Sequence, residues 1–296
     1  MGIFFSILSP ALYGINNYID KFFLEKYDIK PIVFTIYSAI FGLIAGLIVL
    51  LFTGFYPTDP WSLFVLLSSG FLTNMFLLPY FKALSTDETS RVVPLFQFTP
   101  IFVLVLSYLF LGEVLQKNQY IGSIIIIAGS FLISLEKFDR SILKIRPAFW
   151  YMMLSSFLFG VSIVLYKLGV ENIPFWNTLP YEGLGMAIGG TIVFLCNKHI
   201  FIKQTLAFPK KVYMIMGVNE TIYILGRYTT YFALSLISAS IVNVLGGFQP
   251  LFVLIYGIVL ALWFPKLIKE VISKEVLAQK IIAIALIFIG VFFIFS

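Results

Sequence analysis

Residues 90–113 read SRVVPLFQFTPIFVLVLSYLFLGE, an almost entirely apolar stretch that nevertheless contains two prolines. A closely similar stretch returns 150 residues later, where residues 248–255 read FQPLFVLI. Aligned without a gap, residues 80–105 and 230–255 are identical at eleven of 26 positions, which is more than a shared apolar composition should produce. The recurrence indicates that the chain is internally duplicated.

The composition of the whole chain is typical of a membrane protein. Of its 296 residues, 60% are hydrophobic and 11% are charged, less than half the charged share that is usual in a soluble domain. Apolar runs of about 20 residues, which match a hydrocarbon core roughly 30 Å thick, recur along the chain. Because backbone polar groups at membrane depth must be satisfied within helices, we predict an all-α integral membrane protein. The ten predicted transmembrane spans are residues 3–24, 31–53, 61–84, 92–111, 120–135, 149–170, 175–196, 212–236, 241–264 and 276–295.

The duplication divides these spans into two sets of five. Matched residues also link spans one and two with spans six and seven: Gly14 with Gly160, Lys21 with Lys167, Pro31 with Pro174, Gly42 with Gly185, and Gly46 with Gly189. Because five is an odd number, the second set enters the membrane from the opposite side. We therefore predict two inverted five-helix repeats, residues 1–136 and 147–296, related by a pseudo-two-fold axis in the membrane plane.

Basic residues are distributed unevenly between the two predicted sides of the membrane. The connections after odd-numbered spans, with the flanking span ends, hold 17 lysines and arginines, whereas the other side holds Lys117 and Lys167. Since short basic loops remain cytoplasmic, both termini are predicted to lie outside. The net charge of +6 then reflects these loops and not a nucleic-acid surface. One cysteine, Cys196, and one histidine, His199, are too few for a metal cluster of such ligands, so no metal site is predicted.

Prolines and glycines interrupt the recurring stretch in both copies. Pro100 and Pro250 each remove a helical hydrogen bond and clash one turn back, so they should kink their spans. Pro94 in the first copy, and Gly246 and Gly247 in the second, should loosen the preceding turn. Transmembrane helices also tolerate proline without a special role, but the paired placement favours a hinge or a cavity wall.

Two small-residue motifs, Gly42-x-x-x-Gly46 and Gly185-x-x-x-Gly189, allow helices to approach closely. Packing inside the bundle is the first explanation for them. The alternative is a dimer face, so the chain is predicted to be a monomer or a homodimer.

Three charged residues lie inside predicted spans, where a charge costs about 2.5–3.5 kcal/mol and needs a partner, a wet cavity or a function. Glu182 lies in span seven, and Glu220 and Arg227 lie in span eight. Glu220 and Arg227 are seven residues apart and therefore share a helix face, about 10.5 Å apart along its axis. They either make stabilising buried contacts or face a cavity. In a cavity, Arg227 would bind an anion or carboxylate, and Glu220 would bind an ammonium group or a proton.

Uncharged polar side chains within the spans are weaker candidates for a binding site. They could orient a polar ligand in a mostly apolar pocket, but they could equally bridge helices. The candidates are Asn17, Asn74, Tyr80, Gln97, Asn219, Asn243 and Gln249, with Asn16 beside them. Asp20, near the predicted cytoplasmic end of span one, is expected to reach the headgroup region. The 33 phenylalanines and 16 tyrosines could form a cage for a cation, although lipid-facing packing is the simpler explanation.

The sequence resembles the drug/metabolite transporter superfamily, and within it the bacterial EamA-type ten-helix group. The resemblance is carried by ALYGINNYIDKFFLEKY (residues 11–27), by residues 82–113, by LFGVSIVLYK (residues 158–167) and by ALSLISASIVNVLGGFQPLFVLI (residues 233–255). It implies a basket of ten helices around a central cavity lined chiefly by spans one, three, four, six, eight and nine. Gly112–Glu113 matches the Gly-Glu pair that closes the fourth span. Its second-half counterpart is displaced by FPKLIKEVISKE, residues 264–275.

The resemblance implies secondary transport, by alternating access, of a small polar or amphipathic metabolite such as an amino acid. Export across a bacterial inner or plasma membrane is the expected direction. A lipid-linked sugar flippase, a cation transporter and a non-transporting membrane scaffold are the alternatives. No Walker, HExxH or GxSxG motif occurs in the sequence, so no enzymatic activity is predicted. The expected partners are the lipid bilayer and a small-molecule substrate, with no cofactor beyond proton or cation coupling.

Overall fold

A computed structural model describes residues 1–27, 29–86, 92–135, 146–171, 173–263 and 274–296 of the chain. These residues form helices joined by short connections, and no strand occurs within the described ranges. The α-helices, in chain order, are α1 Gly2–Tyr27, α2 Pro31–Thr53, α3 Pro60–Met75, α4 Leu77–Thr86, α5 Phe98–Leu111, α6 Lys117–Ser134, α7 Pro147–Val170, α8 Phe175–Leu206, α9 Lys210–Leu236, α10 Ala239–Leu245, α11 Gln249–Trp263 and α12 Lys274–Phe295. Two 3-10 segments, Val93–Gln97 and Gly246–Phe248, precede α5 and α11.

The helices cover the predicted spans to within a few residues at their ends. The third predicted span is divided between α3 and α4, and the seventh continues to Leu206 through a non-helical residue, Asn197, with φ −133° and ψ 19°. The end of the ninth predicted span, Phe264, lies outside the described residues, as do most of the basic connections at residues 136–145 and 264–273. By length and composition, six helical stretches of the described chain could cross a membrane: Pro31–Thr53, Pro60–Thr86, Pro147–Val170, Phe175–Leu206, Ala239–Val259 and Ala278–Phe295.

Helices from the two halves of the chain pack against each other. Helix α2 lies along α8, and α6 lies along α12. Helix α1 packs against α9 and α11, while α7 packs against α3, α4 and α5. Helix α3 also lies along α8, so α8 is enclosed by two helices of the first half.

Glycines permit the close approach of α2, α3 and α8. A Cβ on Gly42 would meet Met186, and one on Gly46 would lie 3.3 Å from the backbone of Leu179 and Pro180. On the other side of α8, a Cβ on Gly70 of α3 would collide with the backbone oxygen of Glu182. The Gly42-x-x-x-Gly46 motif therefore lies at a helix contact within the bundle, which is the first of the two explanations considered for it.

Prolines begin several of the helices. Pro31, Pro60 and Pro147 each occupy the first turn of their helix, where the missing N–H would have no intrahelical partner. Asp59 caps α3, and its Oδ1 accepts hydrogen bonds from the Trp61 and Ser62 backbone N–H groups at 2.9 and 3.0 Å. These local signals position the helix starts before any tertiary contact is considered.

Candidate functional site

Two charges buried within the helix bundle form an ion pair. Glu182 of α8 is 0% exposed and Arg227 of α9 is 1% exposed. Arg227 Nη2 lies 3.1 Å from Glu182 Oε2. Each charge therefore has the partner that it needs at membrane depth. The sequence grouped Glu220 with Arg227 on one helix face, but within the described chain it is Glu182, and not Glu220, that pairs with Arg227.

Hydroxyl groups from neighbouring helices hold the Glu182 carboxylate. Tyr231 Oη donates a hydrogen bond to Glu182 Oε1 at 2.8 Å, and the Thr73 hydroxyl lies 3.2 Å from the Tyr231 hydroxyl. The Tyr231 ring stacks on Tyr166, with ring centroids 3.7 Å apart and an interplanar angle of 9°. The Tyr166 hydroxyl in turn lies 2.7 Å from Thr178 Oγ1. The ion pair is thus connected to α3 and α7 as well as to its own helices.

The Arg227 guanidinium is surrounded by aromatic rings and one thioether. Its Cζ lies 5.8 Å from the ring centroids of Tyr223 and Tyr228 and 5.9 Å from that of Tyr231. These distances are in the range of cation–π attraction. Arg227 Nη1 also contacts the Met186 sulfur. Tyr223, Arg227 and Tyr231 recur at intervals of four, so one face of α9 presents all three.

Several buried polar atoms around the ion pair have no hydrogen-bond partner among the described residues. They are Arg227 Nε and Nη2, Glu182 Oε2, Tyr223 Oη and Tyr228 Oη. Arg227 Nη2 and Glu182 Oε2 contact each other as charges without hydrogen-bond geometry. The atoms that have neither a hydrogen bond nor an ion-pair partner within the described chain are therefore Arg227 Nε, Tyr223 Oη and Tyr228 Oη, and a buried polar atom of this kind costs about 1–3 kcal/mol.

A second polar cluster lies where α1 meets α9. Asn16 Nδ2 donates to Asn219 Oδ1 at 2.8 Å and to the Asn219 backbone oxygen at 2.7 Å. Asn219 Nδ2 then donates to Asp20 Oδ1 at 2.8 Å. Asp20 was expected to reach the headgroup region, but the Asn219 amide holds it within the α1–α9 interface. Tyr80 lies close enough to interact electrostatically with Asp20.

Glu220, next to Asn219 in the chain, belongs to the same region of α9. It is 3% exposed, and its Oε2 accepts a hydrogen bond from Ser38 Oγ of α2 at 2.8 Å. The structure therefore separates the two span-eight charges that the sequence grouped. Arg227 belongs to the ion pair with α8, and Glu220 belongs to the interface with α1 and α2.

The other predicted site residues make separate contacts or lie elsewhere in the helices. Asn74 Nδ2 donates to the Thr35 backbone oxygen at 2.8 Å and joins α3 to α2, whereas Asn243 Nδ2 bonds to Ala239 O of its own helix at 3.2 Å. Gln97 is buried, at 7% exposure, in the first 3-10 segment. Asn17, Tyr80 and Gln249 are half-buried.

The tyrosines around Arg227 were not predicted as site residues. Tyr223 and Tyr231 each lie four residues from Arg227, which was a usable signal because side chains at that spacing share a helix face; Tyr228, next to Arg227 in the chain, had no such signal. Tyr166 and Ser38 come from other helices and had no comparable signal.

The predicted hinge positions coincide with interruptions of the helices. Each 3-10 segment ends shortly before a proline, Pro100 in α5 and Pro250 in α11. The residue four positions before each of these prolines lies within the 3-10 segment. This is where the clash of the proline ring with the preceding turn is expected. Pro94 lies in the first 3-10 segment, and Gly246 and Gly247 lie in the second. Ser130 Oγ donates to the Gly247 carbonyl at 2.7 Å, which satisfies an oxygen at the interruption.

Charged side chains also hold the junction between α9 and α10. Glu113, which follows Gly112 at the end of α5, accepts hydrogen bonds from Ala239 N at 2.7 Å, Ser240 N at 3.0 Å and Ser240 Oγ at 2.7 Å. Lys167 Nζ of α7 donates to the carbonyls of Leu234 and Ile237 at 2.9 and 3.2 Å. A carboxylate thus contacts the start of α10 and an ammonium group contacts the end of α9, as the helix dipoles favour. Glu113, Lys167 and the groups that they contact at the α9–α10 junction are called the junction latch.

Comparison with known proteins identifies relatives that align with less than half of the chain. The model of the EamA-like transporter family matches residues 1–135. An uncharacterized protein of Methanocaldococcus jannaschii is 34% identical over 135 residues, which are 45% of this chain and 96% of that protein. An uncharacterized transporter of Clostridium kluyveri is 31% identical over 136 residues, 45% of this chain and 43% of the relative. An uncharacterized transporter of a Sinorhizobium species is 37% identical over 78 residues, 26% of this chain and 54% of the relative.

A solved crystal structure shares the fold of the whole chain, with a TM-score of 0.69 at 15% identity over 99% of this chain and 97% of that chain. The aligned part of this chain spans about half the length of the two relatives that are named as transporters. Almost the whole archaeal relative is covered at more than 30% identity, and the family model matches a stretch of the same length. The predicted resemblance is confirmed: the chain is a multi-pass membrane protein that belongs to the EamA-like transporter family.

Proposed function

We propose that the protein is a secondary transporter that moves a small zwitterionic metabolite, such as an amino acid or a related solute, by alternating access. The observation that carries this proposal is the Arg227–Glu182 ion pair, with unpartnered buried polar atoms around it. Buried polar atoms are normally hydrogen-bonded, so unpartnered ones favour a ligand-binding site over a closely packed apolar core. The proposal includes no catalytic step.

The chemistry of the site favours a ligand that carries both charges. The Arg227 guanidinium can accept a carboxylate in place of Glu182, because a planar guanidinium binds carboxylates through two parallel hydrogen bonds. The Glu182 carboxylate is then available to an ammonium group. Tyr223 and Tyr228 offer hydroxyl groups that have no partner in the described chain, and their rings provide apolar walls. An amino acid with an apolar or aromatic side chain fits this combination of groups.

The proposed architecture is ten transmembrane helices in two inverted repeats, residues 1–136 and 147–296. If the two halves are exchanged, α1 takes the place of α7, α3 that of α9, and α5 that of α11. The contact of α1 with α9 then corresponds to that of α7 with α3, and the contact of α1 with α11 corresponds to that of α7 with α5. Two further close pairs, α2 with α8 and α6 with α12, map onto themselves, whereas the contact of α3 with α8 corresponds to a smaller contact of α9 with α2. The archaeal relative, little longer than the aligned 135 residues, supports a unit of one half-chain.

Alternating access requires parts that move. The 3-10 segments Val93–Gln97 and Gly246–Phe248 occupy matching places in the two halves and are the proposed hinges. The junction latch would hold one end of the helix bundle closed, and its release would accompany opening on that side. Export from a bacterial cell is the direction that the family resemblance favours.

The proposed topology, with both termini outside, can be tested by cysteine labelling in a Cys196→Ser background. Lys117 and Lys203 are both exposed, and the topology places them on opposite sides of the membrane. We expect a membrane-impermeant maleimide to label Lys117→Cys in intact cells. Lys203→Cys should be labelled only after the cells are permeabilised. Labelling of both positions from the same side would contradict the inverted arrangement.

The proposed substrate site can be tested by a thermal-shift screen of the purified protein against zwitterionic metabolites. A ligand at about 100 times its Kd should stabilise the native protein by about 2.7 kcal/mol. Tyr223→Phe and Tyr228→Phe remove hydroxyl groups that have no partner in the described chain, so we expect these variants to fold as stably as the native protein. Each should weaken ligand binding about tenfold, the effect of losing one hydrogen bond to a charged or polar group.

The matched control for this screen is Tyr213→Phe. Tyr213 lies on the same helix, but its hydroxyl donates to the Thr205 backbone oxygen and it is exposed. This variant should keep the full ligand-induced shift. If a ligand stabilises all three tyrosine variants equally, the site is not at Arg227. If no metabolite stabilises the native protein, the proposed function itself is wrong.

A further inference from the structure

The polar cluster between α1 and α9 contains only acceptors at its open ends. Along the hydrogen-bonded chain, the Asn16 amide donates to Asn219, and the Asn219 amide donates to Asp20. This direction leaves Asn16 Oδ1 at one end, buried and without a partner among the described residues, on a side chain that is 4% exposed. The other end is the Asp20 carboxylate. The hydrogen-bonded chain can therefore be extended only by groups that donate protons or carry positive charge.

Glu220, the residue after Asn219 in α9, adds a further buried acceptor, which faces α2. Its hydrogen bond from Ser38 is the only one that it makes with the described residues, and no basic side chain of the described chain comes within ion-pair distance of it. The carboxylate is 3% exposed, compared with 0% for Glu182, which has Arg227 as its partner. A buried carboxylate without a compensating charge favours its neutral, protonated form or the binding of a cation.

Proton binding explains the surroundings of Glu220 better than sodium binding does. Sodium sites in transporters use backbone carbonyls that unwound helices leave free. Here α1, α2 and α9 are continuous helices around Asn16, Ser38 and Glu220, so their carbonyls are engaged in helical hydrogen bonds. The Ser38 hydroxyl and a few side-chain oxygens are enough to hydrogen-bond a protonated carboxylic acid, but they are too few to coordinate a sodium ion.

We propose that Glu220 is a proton-binding site, separate from the Arg227–Glu182 pair, and that it carries the coupling ion of the transporter. The other titratable or charged groups that act on Glu220 are Asp20 of α1 and, on its own helix, Tyr223 and Arg227. Helix α2 contributes only the Ser38 hydroxyl. When the interface of α9 with α1 and α2 opens to water, the proton leaves Glu220; when the interface closes, a proton must return.

The proton can be observed directly by infrared difference spectroscopy of the full chain in lipid, using the carbonyl band of a protonated carboxylic acid. We expect the native protein to show this band near neutral pH and to lose it at alkaline pH, since burial favours the neutral acid. Glu220→Gln should abolish the band. Asp20→Asn and Glu171→Gln, which remove the neighbouring carboxyl group and an exposed one, should retain it.

Three results would overturn the proposal: no such band in the native protein, a band that persists in Glu220→Gln, or a band that disappears in Asp20→Asn. Spectra recorded with sodium and with choline as the only added cation test the alternative ligand. A band that disappears on addition of sodium would assign the site to sodium instead.

The coupling role rests on the transport function proposed above, whereas proton binding by Glu220 does not. With any metabolite that stabilises the native protein in the screen, the thermal shift should depend on pH in the native protein and become independent of pH in Glu220→Gln. A pH dependence that is unchanged in Glu220→Gln would overturn the coupling role. If the infrared band behaves as expected while no metabolite binds, the transport function fails and the proton site stands.

Discussion

Replacing Arg227 with glutamine is expected to destabilise the protein by about 3–5 kcal/mol, because it leaves a buried carboxylate without its partner. Glu182 is 0% exposed and has Arg227 at 3.1 Å as its ion-pair partner. Tyr231 donates only one hydrogen bond to it, which cannot compensate a full charge. The free energy of unfolding, measured by denaturant titration in mixed micelles, checks this value.

The double variant Glu182→Gln/Arg227→Gln removes both charges and should be more stable than Arg227→Gln alone. Such coupling between contacting residues is the property that a double-mutant cycle measures. Lys203→Gln also removes one positive charge, but from an exposed position, and should change stability by less than about 0.5 kcal/mol. A cost for Arg227→Gln that matches the cost for Lys203→Gln would show that the ion pair does not support the fold.

Removing the Glu113 carboxylate is expected to cost about 2–3 kcal/mol, because three hydrogen bonds to a charged acceptor are lost at once. The carboxylate accepts from both the Ala239 and Ser240 backbone N–H groups and from the Ser240 hydroxyl. Without it, the first N–H groups of α10 lose their partner at a point where α9 has just ended. Glu113→Ala tests this in the same unfolding experiment. Glu113→Gln, which keeps one acceptor oxygen, should have an intermediate effect.

Glu171→Ala is the matched control for Glu113→Ala. Glu171 is also an acidic residue at a helix end, but its side chain is 53% exposed and its ion pair with Lys167 is long, at 3.9 Å. Exposed pairs of this kind contribute about 0–1 kcal/mol. If Glu113→Ala costs no more than Glu171→Ala, the junction latch does not hold α10 against α5.

The helix positions could be predicted because they follow from the thickness of the membrane. The second span, predicted at residues 31–53, coincides with α2, Pro31–Thr53. The predicted end of the seventh span at residue 196 lies beside the non-helical Asn197 of α8. The interruptions before α5 and α11 lie where Pro100 and Pro250 predicted them, whereas Pro10 and Pro180 lie inside α1 and α8 without interrupting them.

The charged residues of the site could be recognised from the sequence, but their contacts could not. A glutamate or arginine is conspicuous in an apolar span, so Glu182, Glu220 and Arg227 were identified. The grouping of Glu220 with Arg227 assumed that neighbours on one helix act together. In the structure, Arg227 pairs with Glu182 of α8, whereas Glu220 bonds to Ser38 of α2.

By itself, the sequence determined the helical fold class, the approximate ends of the helices and the identity of the charged residues in apolar helices. These features depend on residue type and on distance along the chain, both of which a sequence contains. Only the tertiary structure decided that Glu182 meets Arg227, that Asp20 bonds to Asn219, and that tyrosines surround the guanidinium. The physical reason is that a helix in lipid has apolar residues on every side, so its pattern does not indicate which face turns inward. That rotation is set by packing against helices that are distant in the chain.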